Sequence, residues 1–132
     1  MFNRFIEKIS GELELEHPPT PDHSGQYQLI LEPNLEIYLR ENPATGITLF
    51  ATLAPLPEKG LEEYLMQAMS ANLFGRETGH SALGCDQEGK KVTLRRTLPP
   101  EATYQQFYEA LEDFANYAES WREDTKKFLV ED

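Results

Sequence analysis

The side chains that could ligate a metal, carboxylates apart, are His17, His23, His80 and Cys85. Structural zinc sites draw on closely spaced Cys/His pairs, and these four form none. His17 and His23 stand among prolines, where a solvated imidazole is the expectation. Cys85 follows Gly84 and precedes Asp86. An adjacent acid does not depress a thiol pKa, so Cys85 reads as a buried structural residue rather than a nucleophile. Ser81 beside His80 lacks the Gly-x-Ser-x-Gly context of a nucleophile elbow. Gly75, Gly79 and Gly84 are scattered, with no Gly-Lys-Ser/Thr after them, so no phosphate loop is expected. The acidic pairs Glu62-Glu63 and Glu112-Asp113 fall on helix faces opposite apolar stripes, where carboxylates are solvated. The pattern predicts no enzyme, no cofactor and no metal site.

What remains is binding, and the elements that could support it are legible. Phe2, Phe5, Ile6, Ile9 and Leu13 recur at helical spacing and form one stripe on an N-terminal helix. Pro18, Pro19 and Pro21 then impose a loop. Three strands follow by period-two alternation: Tyr27, Leu29, Leu31; then Leu35, Ile37, Leu39; then Ile47, Leu49, Ala51, Leu53. Pro33-Asn34 and Asn42-Pro43-Ala44-Thr45-Gly46 are turn sequences, which makes the strands an antiparallel meander. Their second face is not wholly polar, because Ile30, Tyr38 and Phe50 lie on it.

A middle helix is predicted over Leu61 to Phe74, with Leu61, Tyr64, Leu65, Ala68, Met69 and Asn72 along one side. Met66 and Leu73 lie off that stripe, so the helix is apolar over more of its girth than one sheet can cover. Exposed apolar surface of that kind marks contacts, which predicts a subunit interface at Leu61, Tyr64, Leu65, Ala68, Met69, Asn72 and Leu73. Two short strands near 82–86 and 91–98 flank the turn Gln87-Glu88-Gly89-Lys90. A final helix carries Tyr104, Phe107, Tyr108, Leu111, Phe114, Ala115, Ala118 and Trp121. Thr103 is only a fair N-cap residue there, and beyond Trp121 the charged tail is expected to fray. The order α-β-β-β-α-β-β-α indicates one α+β domain over residues 1–132, with an antiparallel five-stranded sheet and three helices.

Composition narrows the partner. The chain has 132 residues, with 23 acidic against 12 basic side chains and a formal net charge of −11. Such a surface repels phosphate backbones and anionic lipid, so neither nucleic acid nor a membrane is an expected partner. With a single cysteine no internal disulfide can form, which suits a reducing compartment. The first residues mix charges into their apolar pattern, unlike a signal peptide. These features predict a bacterial cytoplasmic protein once the resemblance described next is added.

The stretch from Leu56-Pro57 to Leu98-Pro99 resembles the class I chaperones of type III secretion, the Tir chaperone-like family. The resemblance rests on Leu65-Met66-Gln67-Ala68-Met69-Ser70-Ala71-Asn72-Leu73-Phe74-Gly75, then Thr78-Gly79, Ala82-Leu83-Gly84-Cys85-Asp86 and Val92-Thr93-Leu94-Arg95-Arg96-Thr97-Leu98-Pro99. Phe107, Leu111, Phe114, Ala118-Glu119 and Trp121-Arg122 are similar to the family's C-terminal helix. Cys85 departs from it, standing where many members carry an aliphatic residue. The resemblance implies a dimeric secretion-chaperone fold with the middle helices at the interface, as a homodimer or a heterodimer with a paralogous chaperone. It implies a client, a secreted effector or apparatus protein, whose N-terminal segment is held extended and secretion-competent. It also implies delivery to the export apparatus, where the secretion ATPase consumes ATP.

A disordered segment gains affinity by burying apolar side chains and pairing its backbone. Phe2, Phe5, Ile6 and Ile9, with Ile30, Tyr38 and Phe50, are therefore the expected client-binding residues. The helix stripe could equally seal the chain's own core. An acidic dimeric adaptor for a folded partner is the alternative function; a small hydrolase or isomerase has no supporting constellation.

Overall fold

The computed structural model describes residues 2–14, 19–31, 35–74 and 81–130. Chain order is α1 (Phe2–Glu12), β1 (Tyr27–Leu31), β2 (Leu35–Asn42), β3 (Gly46–Pro55), α2 (Leu61–Phe74), β4 (Ala82–Cys85), β5 (Lys91–Leu98) and α3 (Tyr104–Val130). The α+β order read from periodicity is the order found. The strands form one antiparallel five-stranded sheet in the order β1-β2-β3-β5-β4. The Pro33-Asn34 turn, His17, His80, Gly75 and Gly79 lie outside the described residues.

Alternation gives the sheet two unlike faces. Leu29, Leu35, Ile37, Leu39, Leu49, Ala51 and Leu94 are almost completely buried on one of them. α3 lies on that face, mostly across β3, and contributes Phe107, Leu111, Phe114 and Ala118. A bulge between Thr52 and Ala54 shifts the β3–β5 register, and Leu53 and Ala54 are both buried beside it. The β2–β3 hairpin closes on Gly46, whose φ is +109°. A Cβ there would collide with the Leu98 carbonyl oxygen, so the chain needs glycine where β3 passes the end of β5.

α3 begins with a reciprocal cap. The Gln106 amide N–H donates to Thr103 Oγ1 at 3.2 Å, and the Thr103 N–H donates to Gln106 Oε1 at 2.9 Å. That is the Thr-x-x-Gln box, which satisfies two otherwise orphaned donors. Thr103 is thus a better cap than its residue type alone suggests. The far end also departs from expectation: α3 does not stop at Trp121 but runs to Val130. Trp121, Arg122 and Thr125 are buried, and the Thr125 hydroxyl shares a 2.7 Å hydrogen bond with the Tyr64 hydroxyl of α2. A tertiary partner holds the charged turn that would fray alone.

Cys85 is exposed, contrary to the buried cysteine expected. It closes β4, and β4 is an edge strand because β5, not β4, pairs with β3. α2 is the helix that contacts β4.

Candidate functional site: a sheet face and a helix face

The stripe of α1 is spent on the core. Phe2, Phe5, Ile6 and Ile9 are all buried. Phe2 meets Tyr27 and Phe107 edge-on, at centroid distances of 5.5 and 6.0 Å. Phe5 stacks on Phe107 at 5.5 Å and meets the edge of Tyr104 at 5.6 Å. Tyr104 pins the helix from outside: its hydroxyl donates to Glu12 Oε2 at 2.9 Å, and Lys8 Nζ sits 4.4 Å from its ring centre. Burial, then the hydrogen bond to Glu12 and its charge, push the Tyr104 hydroxyl up to about 12. Of the two readings the sequence allowed for this helix, the packing is that of a seal. Its four apolar side chains offer no open surface to a client in this chain.

The other expected client residues lie on the opposite face of the sheet, turned away from α3. Registers place Gln28, Tyr38, Phe50, Arg95 and Ala82 in one row across all five strands. Tyr38 and Phe50 are half-buried, and Ile30, near the row, is 58% exposed. Gln26, Tyr38, Arg40, Thr48, Phe50 and Arg95 line a groove of about 310 Å³. A second groove of about 460 Å³ continues over Ala82, Gly84 and Thr93 toward the β4 edge, sharing Phe50 and Arg95. The Tyr38 hydroxyl donates to Glu36 Oε2 at 3.3 Å and accepts from Gln28 Nε2 at 3.5 Å. Burial, then the charge of Glu36 and the hydrogen bond to it, raise its pKa. Arg40 and Arg95 were not among the expected residues. Arg40 shares the parity of Tyr38 on β2, a signal the sequence held; Arg95 reaches this face only through the β3–β5 register that sets it opposite Phe50.

The face of α2 divides as follows. Tyr64 and Ala68 turn inward and are buried, and Leu61 is half-buried. Leu65, Met66 and Met69 are exposed, Met66 and Met69 by about 70%. The side chains of Asn72 and Leu73 lie outside the described residues. The expected interface set therefore contains both inward anchors and outward surface, and Met66, left off that set, is the most exposed large apolar side chain among the described residues. Beside it, Glu63, Met66, Gln67, Ser70, Tyr117, Ser120, Trp121 and Asp124 line a trough of about 930 Å³ between α2 and α3.

Among the described residues no three His, Cys, Asp or Glu side chains gather to hold a metal. Asp86, beside the second groove, uses its carboxylate to accept the Lys90 and Lys91 amides, and those bonds lower its pKa. What the arrangement offers is apolar and hydrogen-bonding surface: a sheet face with recessed aromatics, and a helix face with exposed methionines. No described helix is long and apolar enough to cross a membrane.

The result is an α+β layer in which α3 covers one face of the five-stranded sheet and leaves the row from Gln28 to Ala82 on the other. The chain belongs to the Tir chaperone protein (CesT) family, whose model matches residues 4–122. It is 34% identical to a Chlamydia pneumoniae protein over 125 residues, covering 94% of this chain and 95% of that protein. Its fold is similar to that of a chain in the ExsC–ExsE complex, with a TM-score of 0.75, 19% identity and coverage of 94% and 92%. It is also similar to a chain of the HopA1–SchA chaperone–effector complex, with a TM-score of 0.71, 17% identity and coverage of 92% and 93%. A chain from the structure of the Yersinia pestis type III secretion chaperone SycH in complex with a fragment of YscM2 superposes with a TM-score of 0.69 at 16% identity, covering 89% of this chain and 97% of that one.

Proposed function

We propose that this type III secretion chaperone holds the extended N-terminal segment of a secreted effector or apparatus protein and keeps it soluble until export. The observation that carries the reading is family membership over residues 4–122 on a fold whose second sheet face lies open, with Tyr38 and Phe50 recessed in it. Chains of the HopA1–SchA chaperone–effector complex and of the SycH–YscM2 fragment complex share the fold. An extended client laid across Ile30, Tyr38 and Phe50 would bury apolar side chains between strands that need no rearrangement.

The working unit is a dimer through α2, a homodimer or a pair with a paralogous chaperone. Leu65 and Met69 form the contact, Met66 extends it, and Tyr64 and Ala68 anchor the helix from behind. Exposed apolar side chains on successive turns are what such a contact requires. The protein acts in the bacterial cytoplasm without catalysis or cofactor and hands its client to the export apparatus, where the secretion ATPase works. Residues 1–132 act as one unit.

The test is co-purification from the native host with identification of what is bound. The expected result is one predominant secreted protein that is lost when its N-terminal segment is deleted. A partner retained after that deletion would identify an adaptor for a folded domain instead.

A further inference from the structure

The open sheet face carries a charge pattern at odds with the rest of the molecule. Acidic side chains outnumber basic ones 23 to 12. The exposed positions of α2 and α3 follow that bias: Glu62, Glu63, Glu109, Glu112, Asp113 and Glu123. On the sheet face, by contrast, Arg40 and Arg95 flank the same groove as Tyr38 and Phe50. Arg40 stands two residues along β2 from Tyr38, and Arg95 pairs directly with Phe50 across β3–β5.

Neither arginine is neutralised by a described carboxylate. Lys90 pairs with Glu88 at the β4–β5 turn, away from both arginines. Glu36, on the same face, receives the Tyr38 hydroxyl, and Asp86 turns its Oδ1 to the backbone amides of Lys90 and Lys91. Arg95 is also held in place, its guanidinium carbon 5.3 Å from the Phe50 ring centre. A guanidinium stacked on an aromatic ring keeps its N–H fork free for a carboxylate and loses little rotamer freedom on binding one.

We propose that Arg40 and Arg95 select client segments that carry an Asp or Glu among their apolar residues. The carboxylate binds between the two guanidiniums while the neighbouring apolar side chains cover Phe50 and Tyr38. The chemistry complements an acidic carrier: a client held only by general charge attraction to this protein would be basic. A carboxylate at this one place fixes the register of an otherwise featureless extended segment, because charge-assisted pairs to arginine are directional. Phosphate groups would suit the same two side chains, but the net charge of −11 opposes a polyanion.

This inference rests on the client-binding reading and is separable from it by experiment. Random peptides displayed on phage are selected on the intact protein and on an Arg40→Gln/Arg95→Gln double variant, with melting temperature and oligomeric state checked for both. Arg40→Lys/Arg95→Lys serves as the charge-retaining control. Wild-type selection is expected to enrich Asp or Glu beside apolar residues. Recovered peptides should bind the glutamine variant about five- to tenfold more weakly, the scale of one or two partly exposed charge-assisted pairs, and lose affinity with added salt. Peptides that lack acidic enrichment, or that bind both proteins equally, overturn the arginine assignment and leave client binding intact. Selection of no peptide above background removes both. Arginine-dependent retention of a poly-dT oligonucleotide, without acidic peptides, assigns the pair to phosphate and overturns the proposal.

Discussion

Replacing Phe2 with serine separates a sealing helix from a client groove. The ring is 4% exposed and meets two aromatic neighbours edge-on, Tyr27 at 5.5 Å and Phe107 at 6.0 Å. Burying a Phe side chain is worth about 2–3 kcal/mol. Two ring contacts of this geometry add about 1–2 kcal/mol. Together they give about 3–5 kcal/mol, the range measured for removing a buried Phe. For a chain of this length that lowers Tm by about 11–18 °C. Phe5→Ser should cost a similar amount through Phe107 and Tyr104. The double variant should cost less than the sum, because both rings lean on Phe107. The assay is thermal unfolding by circular dichroism beside client binding by calorimetry below the variant's Tm. The expected result is a large Tm loss with near-normal client affinity for the fraction still folded. A Tm within about 2 °C of wild type, with client affinity reduced tenfold, would refute the packing argument and return α1 to the client groove.

Three further outcomes are expected. Gly46→Ala places a methyl against the Leu98 carbonyl oxygen and should cost more than about 2 kcal/mol in urea denaturation, whereas Gly89→Ala, whose Cβ meets nothing within 4 Å, pays only for its positive φ, about 1 kcal/mol. Thr125→Val removes the buried hydroxyl pair with Tyr64 and should cost about 1–3 kcal/mol; amide exchange in the last turns of α3 should quicken, and unchanged exchange would mean that this bond does not hold the helix end. Tyr104, raised to about 12 from a free value near 10, favours the neutral phenol in the fold. Its contribution is therefore fully present below pH ~10 and lost as pH climbs toward ~12, so Tyr104→Phe should show a shallower loss of stability across that interval in pH-dependent melts.

How far the sequence could be read depended on whether the decisive contact was local. Period two marked the first three strands and helical period marked α2 with its ends, because those signals come from which face each residue shows; β4 and β5 were read from the turn between them. The Thr103-x-x-Gln106 box was also local and could have been recognised from the letters alone. The end of α3 could not. Glu123, Asp124 and Lys126 read as a fraying tail, and only the fold brings Thr125 to Tyr64, 61 residues away. Cys85 was misplaced for the same reason: a β4–β5 hairpin can dock by either strand, and which one meets β3 decides what lies at the edge. The stripe of α1 was visible, but a stripe does not say whether its partner is the chain itself or a client. On the sheet, Tyr38 and Phe50 stood out as apolar residues on a polar face. Arg40 and Arg95 looked ordinary on such a face until registers placed them around one groove.

The central claim is that this chaperone recognises an extended N-terminal segment and not a folded domain. The most direct measurement is calorimetry of the purified protein against its co-purified client, intact and lacking that segment, and against the segment alone as a synthetic peptide. The account predicts that the isolated segment, unfolded by circular dichroism when free, binds nearly as tightly as the whole client, and that the truncated client does not bind. A truncated client that binds as tightly as the intact one, with no heat from the peptide, would contradict it.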